Sequence, residues 1–298
     1  MPSRGLSLVG FFDKQRQALD HFRNFCIHSD PSEAALLREW TAARARIGAP
    51  VARAGVPESR AIGPPHDEYI QQLQAQSWVK SVLERPDYRG AEFKLIEIGP
   101  LLAHQPVLHV DRCDQVCAVL KSPTVAALIP VCLPLAQPRP LDPPSVIVQK
   151  PESVIIKSRD LQIEALTPSM MTVSRGGYEH VLVGMEIRWS LPFVHVVRFN
   201  GRHYLLNGYH RVLGAAKRGA TYVPCLLREW RSSDVAGGSA EPEWLLMPRR
   251  LLESPNPPTL AHYLQDRAHT VMLRATSRIL HVSWSHYFMP DEYEGIKR

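Results

Sequence analysis

Residues 192–228, PFVHVVRFNGRHYLLNGYHRVLGAAKRGATYVPCLLR, constrain the fold more than any other stretch. Phe193 to Phe199 is rich in Val and Phe and has a strand's composition. Asn200-Gly201 is a pair suited to a two-residue type I′ turn, so Arg202 to Leu206 returns as a second strand. Asn207-Gly208 turns the chain again. Tyr209 to Arg218 follows as a helix, with Val212, Leu213, Ala215 and Ala216 on its packing side, and Gly219 stops it. TYVPCLL is a third strand. The order is therefore strand, hairpin turn, strand, glycine turn, helix, strand.

That order puts His210 and Arg211 in the first turn of a helix, just after a glycine. The first N–H groups of a helix lack internal partners, and the helix dipole is positive there. A glycine lets a ligand approach the backbone, and His and Arg add charge-assisted donors. A phosphate fits all of these features. The same residues also fit a plain turn followed by two exposed side chains, and spacing alone does not choose between the two.

LLNGYHRVLGAAKRGATYVPCLL resembles the glycine-x-His-Arg signature of the ParB/sulfiredoxin superfamily, through Gly208, His210, Arg211, Ala215, Ala216, Gly219 and Pro224. Upstream, FKLIEIGPLLAHQPVLHVDR is similar to the opening strand and loop of such domains. The resemblance implies an α+β, ParB/sulfiredoxin-like domain: a mixed sheet carrying a hairpin-helix-strand phosphate-binding unit. It implies phosphate contacts from Asn207, Gly208, Tyr209, His210 and Arg211, and a nucleotide or nucleic acid as partner.

Members of the superfamily include sulfinic-acid reductases, CTP-binding partition proteins, free-serine kinases and ParB-like nucleases. Sulfiredoxin has a Cys directly before the His-Arg pair. Here that residue is Tyr209, and a phenol does not replace a thiolate nucleophile. Partition proteins carry a helix-turn-helix after the nucleotide domain, and none is evident after Arg228. Kinase-like and nuclease-like members need a carboxylate near the phosphate. Glu97, Asp111 and Glu186 are the available carboxylates. The candidate catalytic set is Glu97, Glu186 and His210, for a nuclease or nucleotide hydrolase acting with or without a divalent metal. The alternative is a non-catalytic nucleic-acid-binding or protein-interaction module that keeps the fold.

Charge points the same way. Between Arg188 and Arg231 eight basic residues face the single Glu229, a surplus of seven, whereas the whole chain of 298 residues carries +6. A basic segment in a near-neutral chain suggests a polyanion, with Arg198, Arg202, Lys217 and Arg218 as nucleic-acid contacts. The competing explanation is a solvated basic face.

The remaining sequence is that of a globular protein, 45% hydrophobic and 21% charged. No apolar run reaches the ~18 residues of a membrane span. The five cysteines, Cys26, Cys113, Cys117, Cys132 and Cys225, are odd in number and irregularly spread, which suggests a reducing, cytoplasmic setting. They complete no usual zinc spacing, and no metal ligands are assigned.

The first third reads as helical. Ala18, Leu19, Phe22, Phe25 and Cys26 share a face. A second helix opens on Asp30, Pro31 and Glu33 and closes at Gly48, residues 49–65 read as a linker, and a third helix spans Asp67 to Leu83. The expected organisation is a helical region over 1–85, available to a protein partner; a ParB/sulfiredoxin-like domain over 90–230 with a Pro-rich insertion near 130–145; and a C-terminal helix (around 259–278) and strand packing on it from 240–298. Trp284, Tyr287 and Phe288 are candidate stacking residues.

Overall fold

The computed structural model describes residues 2–85, 88–136, 145–150, 153–158, 163–175, 178–189, 192–230, 246–274 and 278–283. The protein is α+β. It divides into two compact units, one of residues 1–138 with 191–275 and the other of residues 139–190 with 276–298.

In the first unit the chain opens with strand β1 (Ser3–Ser7), a single 3-10 turn, helix α1 (Gln15–Phe25), the two-residue strand β2 (Cys26–Ile27) and helix α2 (Glu33–Ala45). A short strand β3 (Ser59–Ala61) precedes helices α3 (Asp67–Ala75) and α4 (Ser77–Leu83). Strands β4 (Glu92–Glu97) and β5 (Val107–His109) lead into helices α5 (Val110–Val119) and α6 (Val125–Cys132).

The second unit holds β6 (Ser145–Lys150), β7 (Ser153–Ser158), β8 (Ile163–Arg175) and β9 (Tyr178–Trp189). The chain then re-enters the first unit with β10 (His195–Phe199), β11 (Arg202–Asn207), α7 (Tyr209–Lys217), β12 (Tyr222–Trp230), the one-turn helices α8 (Arg249–Leu252) and α9 (Leu260–Leu264), and β13 (His269–Leu273). Strand β14 (Arg278–Ser283) belongs to the second unit, where it pairs with β7 in a three-stranded antiparallel sheet, while β8 and β9 form a separate antiparallel ribbon.

Two sheets organise the first unit. One has the order β11-β10-β12-β4-β3, with β10 and β12 parallel and the other neighbours antiparallel. The other, β2-β13-β1-β5, is antiparallel throughout. The hairpin read from the sequence forms as expected: Asn200 and Gly201 take φ of +50° and +74°, the left-handed pair a type I′ turn requires. The main core gathers Ile96, Val196, Val223 and Leu226 from the first sheet and Val212 and Leu213 from α7, all 2% exposed or less. Burying such side chains contributes about 1.5–3 kcal/mol each.

Several expectations change. Residues 1–85 are not a separate helical region: β1 lies between β13 and β5, so the N-terminal strand is inside a sheet that runs to residue 273. The apolar face of α1 is consumed internally, with Ala18, Leu19 and Phe22 buried and Phe25 left exposed, which removes it as a ready partner surface. Ser32, not Asp30, caps α2 by accepting the Ala35 N–H, while Asp30 accepts from the Ser32 N–H. The supposed linker contains β3. The helix expected over 67–83 breaks at Gln76, whose backbone is extended. The helix expected around 259–278 is one turn followed by β13, because His269 to Leu273 finds a strand partner in β1. Of the Pro-rich segment expected near 130–145, residues 130–132 end α6, and residues 137–144 lie outside the described residues. Trp284, Tyr287 and Phe288 lie outside the described residues. Among the described residues no helix is long and apolar enough to cross a membrane.

Candidate phosphate site

Gly208 caps α7 in the left-handed region, at φ +97°. A Cβ there would stand 2.9 Å from Val194 Cγ2 and 3.1 Å from Val194 Cα, so both the backbone conformation and the close approach of Val194, just before β10, demand glycine. The Gly208 carbonyl accepts the Val212 N–H at 2.9 Å, and no side chain caps the N–H groups of the first turn. The expected helix N-terminus therefore exists, with His210 and Arg211 in its opening turn.

The two side chains play different parts. Arg211 is a clamp. Its Nη1 donates to the carbonyls of Pro192 and, at 3.4 Å, Val131, and its Nη2 to that of Phe193 at 3.1 Å. The guanidinium thus ties α6 and the entry to β10 to the start of α7, and it does not face an open pocket. Tyr209 is buried, and its hydroxyl accepts the N–H groups of His104 at 3.0 Å and Gln105 at 3.2 Å. Burial pushes its phenol well above the ordinary range. Only the backbone of Tyr209 remains for a ligand. Asn207 ends β11 beside them.

His210 faces α5. Its ring lies 6.2 Å from that of His109, the residue that caps α5. Midway along α7, a Cβ on Gly214 would meet Val116 Cβ at 2.7 Å and the Cys113 carbonyl at 2.8 Å, and in the last turn Lys217 Nζ reaches Asp114 at 2.6 Å. The start of α7 lies beside the start of α5, so both positive helix ends lie together. Two like dipole ends side by side repel unless an anion sits between them.

The side chains sharpen this. Burial, then the charges of Arg112, His109 and Arg211, hold His210 down to about 3. Burial and Arg112 also lower His109, against a smaller opposing pull from Asp111. Arg112 is exposed. Ser3 Oγ from β1 lies 2.7 Å from His109 Nδ1 and fixes that ring. Nε2 of His210 is shielded from solvent and has no hydrogen-bond partner. Two neutral imidazoles, an exposed arginine and two helix starts without a side-chain cap make a place where an anion would be stabilised and would draw in a proton.

Other candidates are dispersed. Glu97 pairs with Tyr222 at the start of β12, which follows the C-terminal end of α7. A nine-residue helix is about 13 Å long, so Glu97 is on the wrong end to serve His210. Its carboxylate is taken by Arg53 Nη2 at 2.6 Å and the Glu58 N–H at 3.0 Å. Glu186 falls on β9 in the other unit, and its side chain is outside the described residues. Arg202 donates to the Leu252 carbonyl at 2.7 Å and to that of Glu253 at 3.4 Å. Lys217 is paired with Asp114, and with the exposed Arg218 it complements the C-terminal end of α7. Arg198 is exposed near the hairpin tip, at the far end of β10 from Gly208. Arg228 is buried against the rings of Tyr88 and Trp230. The basic segment, among the described residues, does not make one face. Among the described residues no group of His, Cys, Asp and Glu is placed to hold a metal ion.

Sequence reading missed His109, Arg112 and Ser3. The first two stand in the upstream VLHVDR stretch, and what could have marked them is their place at a second helix start. Comparison with family models, with curated proteins and with solved structures found no match for this chain.

Proposed function

We propose that this chain binds a small phosphorylated ligand, of the size of a mononucleotide, at the adjoining N-termini of α5 and α7. The observation that carries the reading is the 6.2 Å approach of His109 and His210 across two helix starts, under the charge of Arg112. The backbone N–H groups at the start of α7 and Arg112 supply the donors, and the imidazoles supply proton-linked charge. The likeness of the Gly208-x-His210-Arg211 turn to the ParB/sulfiredoxin signature supports the same reading, with Arg211 as the residue that builds the turn.

A binding role is favoured over a hydrolase or nuclease. The carboxylate nearest the site is Asp111 in the first turn of α5, and it acts on His109; among the described residues none acts directly on His210, where phosphoryl chemistry would need a base or metal ligand. A small ligand is favoured over a nucleic acid because Arg198, Arg202, Lys217 and Arg218 are spread to other places or engaged by the protein.

The test is thermal unfolding in the presence of pyrophosphate, a panel of mononucleotides and a single-stranded oligonucleotide, each with and without magnesium. A ligand specific to the folded state raises the midpoint by mass action. A rise with pyrophosphate or a mononucleotide is expected. No rise with any of them rejects the site, and a rise with the oligonucleotide alone rejects the small-ligand reading.

A further inference from the structure

A second cluster lies away from α7. His28, just past β2, places Nδ1 3.3 Å from Glu39 Oε1, and His269, the first residue of β13, places Nε2 3.5 Å from Glu39 Oε2. Glu39 is on α2, so one carboxylate holds the ends of two neighbouring strands. Each imidazole presents an N–H to it. The other ring nitrogens, His28 Nε2 and His269 Nδ1, are shielded from solvent and have no partner. Both rings stand edge-on to Phe22, at 5.1 and 6.2 Å. A cleft of about 480 Å³ lined by Ile27, His28, Glu39, Thr270 and Met272 opens beside them.

The tautomers follow from this geometry. A carboxylate accepts, so His28 is protonated on Nδ1 and His269 on Nε2, and each keeps a lone pair facing the interior. Adding a proton to either ring creates a charged N–H in a place with no acceptor, which is costly. What β2 gives up on detaching is small: it has two residues, at the edge of its sheet, and pairs only with Leu273 and Met272.

We propose that Glu39, His28 and His269 form an acid-sensitive latch that holds edge strand β2 against β13 and releases it when either imidazole gains a proton. The other charges around the latch are fixed in sign. Arg46, at the end of α2, acts against a proton on His269, as does His28 itself, while Glu39 favours it; burial is the largest influence and lowers His269. Cys26 of β2 lies under the influence of Glu39 and Arg274, and burial pushes its thiol up to about 12. Arg274 donates from Nε to the Cys26 carbonyl at 2.8 Å. Asp30, beyond His28, is held by Ser32. Ser7, opposite His269 on β1, is uncharged. His21, hydrogen-bonded to Ser7 at 2.8 Å, is held down to about 4 by burial.

Cys26 is fully buried and reports on the release of β2, while Cys225, fully buried in the other sheet, reports on global unfolding. The experiment follows the modification of both by 4,4′-dithiodipyridine, resolved by peptide mass and normalised to the denatured chain. Going from about pH 7.5 to about pH 5.5, Cys26 should gain about tenfold or more in reactivity while Cys225 stays protected. His28→Gln with His269→Gln should abolish that response, and each single variant, checked for folding by circular dichroism, should reduce it if the double variant does not fold. Three results overturn the latch: Cys26 protection unchanged on acidification, Cys26 and Cys225 turning reactive together, or variants that keep the full response.

Discussion

The imidazole of His109 stands 6.2 Å from the imidazole of His210, across the gap between the starts of α5 and α7. At the end of α7, Lys217 closes an ion pair at 2.6 Å with Asp114 in the middle of α5. The charged contact is thus satisfied at the end of α7 and left open at its start, and the candidate site follows from that asymmetry.

Arg112→Ala should weaken binding of pyrophosphate or a mononucleotide by about tenfold to a hundredfold, the size of one charge-assisted contact. Arg112 is exposed, so the unfolding free energy should move by less than about 0.5 kcal/mol. Isothermal titration and urea unfolding read the two separately. Unchanged affinity in the folded variant removes Arg112 from the site.

Arg211→Ala should destabilise the protein by about 2–4 kcal/mol, because it orphans the carbonyls of Val131, Pro192 and Phe193 at once. Arg211→Lys should recover little, since an ammonium lacks the planar fork that spans these acceptors. Urea midpoints within experimental error of the parent would contradict the clamp.

Acid should destabilise the fold well before its carboxylates titrate. Burial holds His21, His104 and His262 down to about 4 and, with nearby positive charge, His210 to about 3. The unfolded chain binds protons at these positions near pH 6.5, so their stabilisation is complete above that pH and is lost as the pH falls toward 4. Each is expected to cost on the order of 1–2 kcal/mol at pH 5. Urea unfolding at pH 7 and pH 5 measures the sum. At the lower pH a bound phosphate should partly offset the loss at His210 by favouring its protonated form, and equal stability at the two pH values would refute the assignment of neutral buried histidines.

Gly214→Ala should push α5 from α7. The new methyl would meet Val116 and the backbone carbonyl of Cys113 at under 3 Å, and overpacking of this kind costs about 1–3 kcal/mol. If the ligand needs both helix starts together, phosphate affinity falls with it. A variant as stable as the parent shows that the helices have room to spare.

The dependence of ligand affinity on salt should be shallow. One exposed arginine and two imidazoles release few counterions, and Arg198→Ala at the hairpin tip should leave the slope unchanged. A steep slope for an oligonucleotide, reduced by Arg198→Ala, would restore the polyanion reading.

The sequence by itself determined the hairpin, the glycine turn and the helix of residues 195–217, because each rests on local chemistry: Asn200-Gly201 supplies the two left-handed residues, Gly208 the third, and the period of Val212, Leu213 and Ala215 the buried face. It also placed β6, β7 and β9 from their Val- and Ile-rich composition, and β4 and β12 as short apolar runs. Local pattern does not record which charge is spent on what. Arg211, Arg202 and Lys217 read as free cations in the chain, and only tertiary packing brought backbone carbonyls and Asp114 to them. Nor did the chain reveal that His109, a hundred residues before His210, would face it, or that β1 would pair with β13. Those depend on long-range strand pairing and on a close helix crossing at Gly214, where contact is decided by the shape of both partners and not by either segment alone.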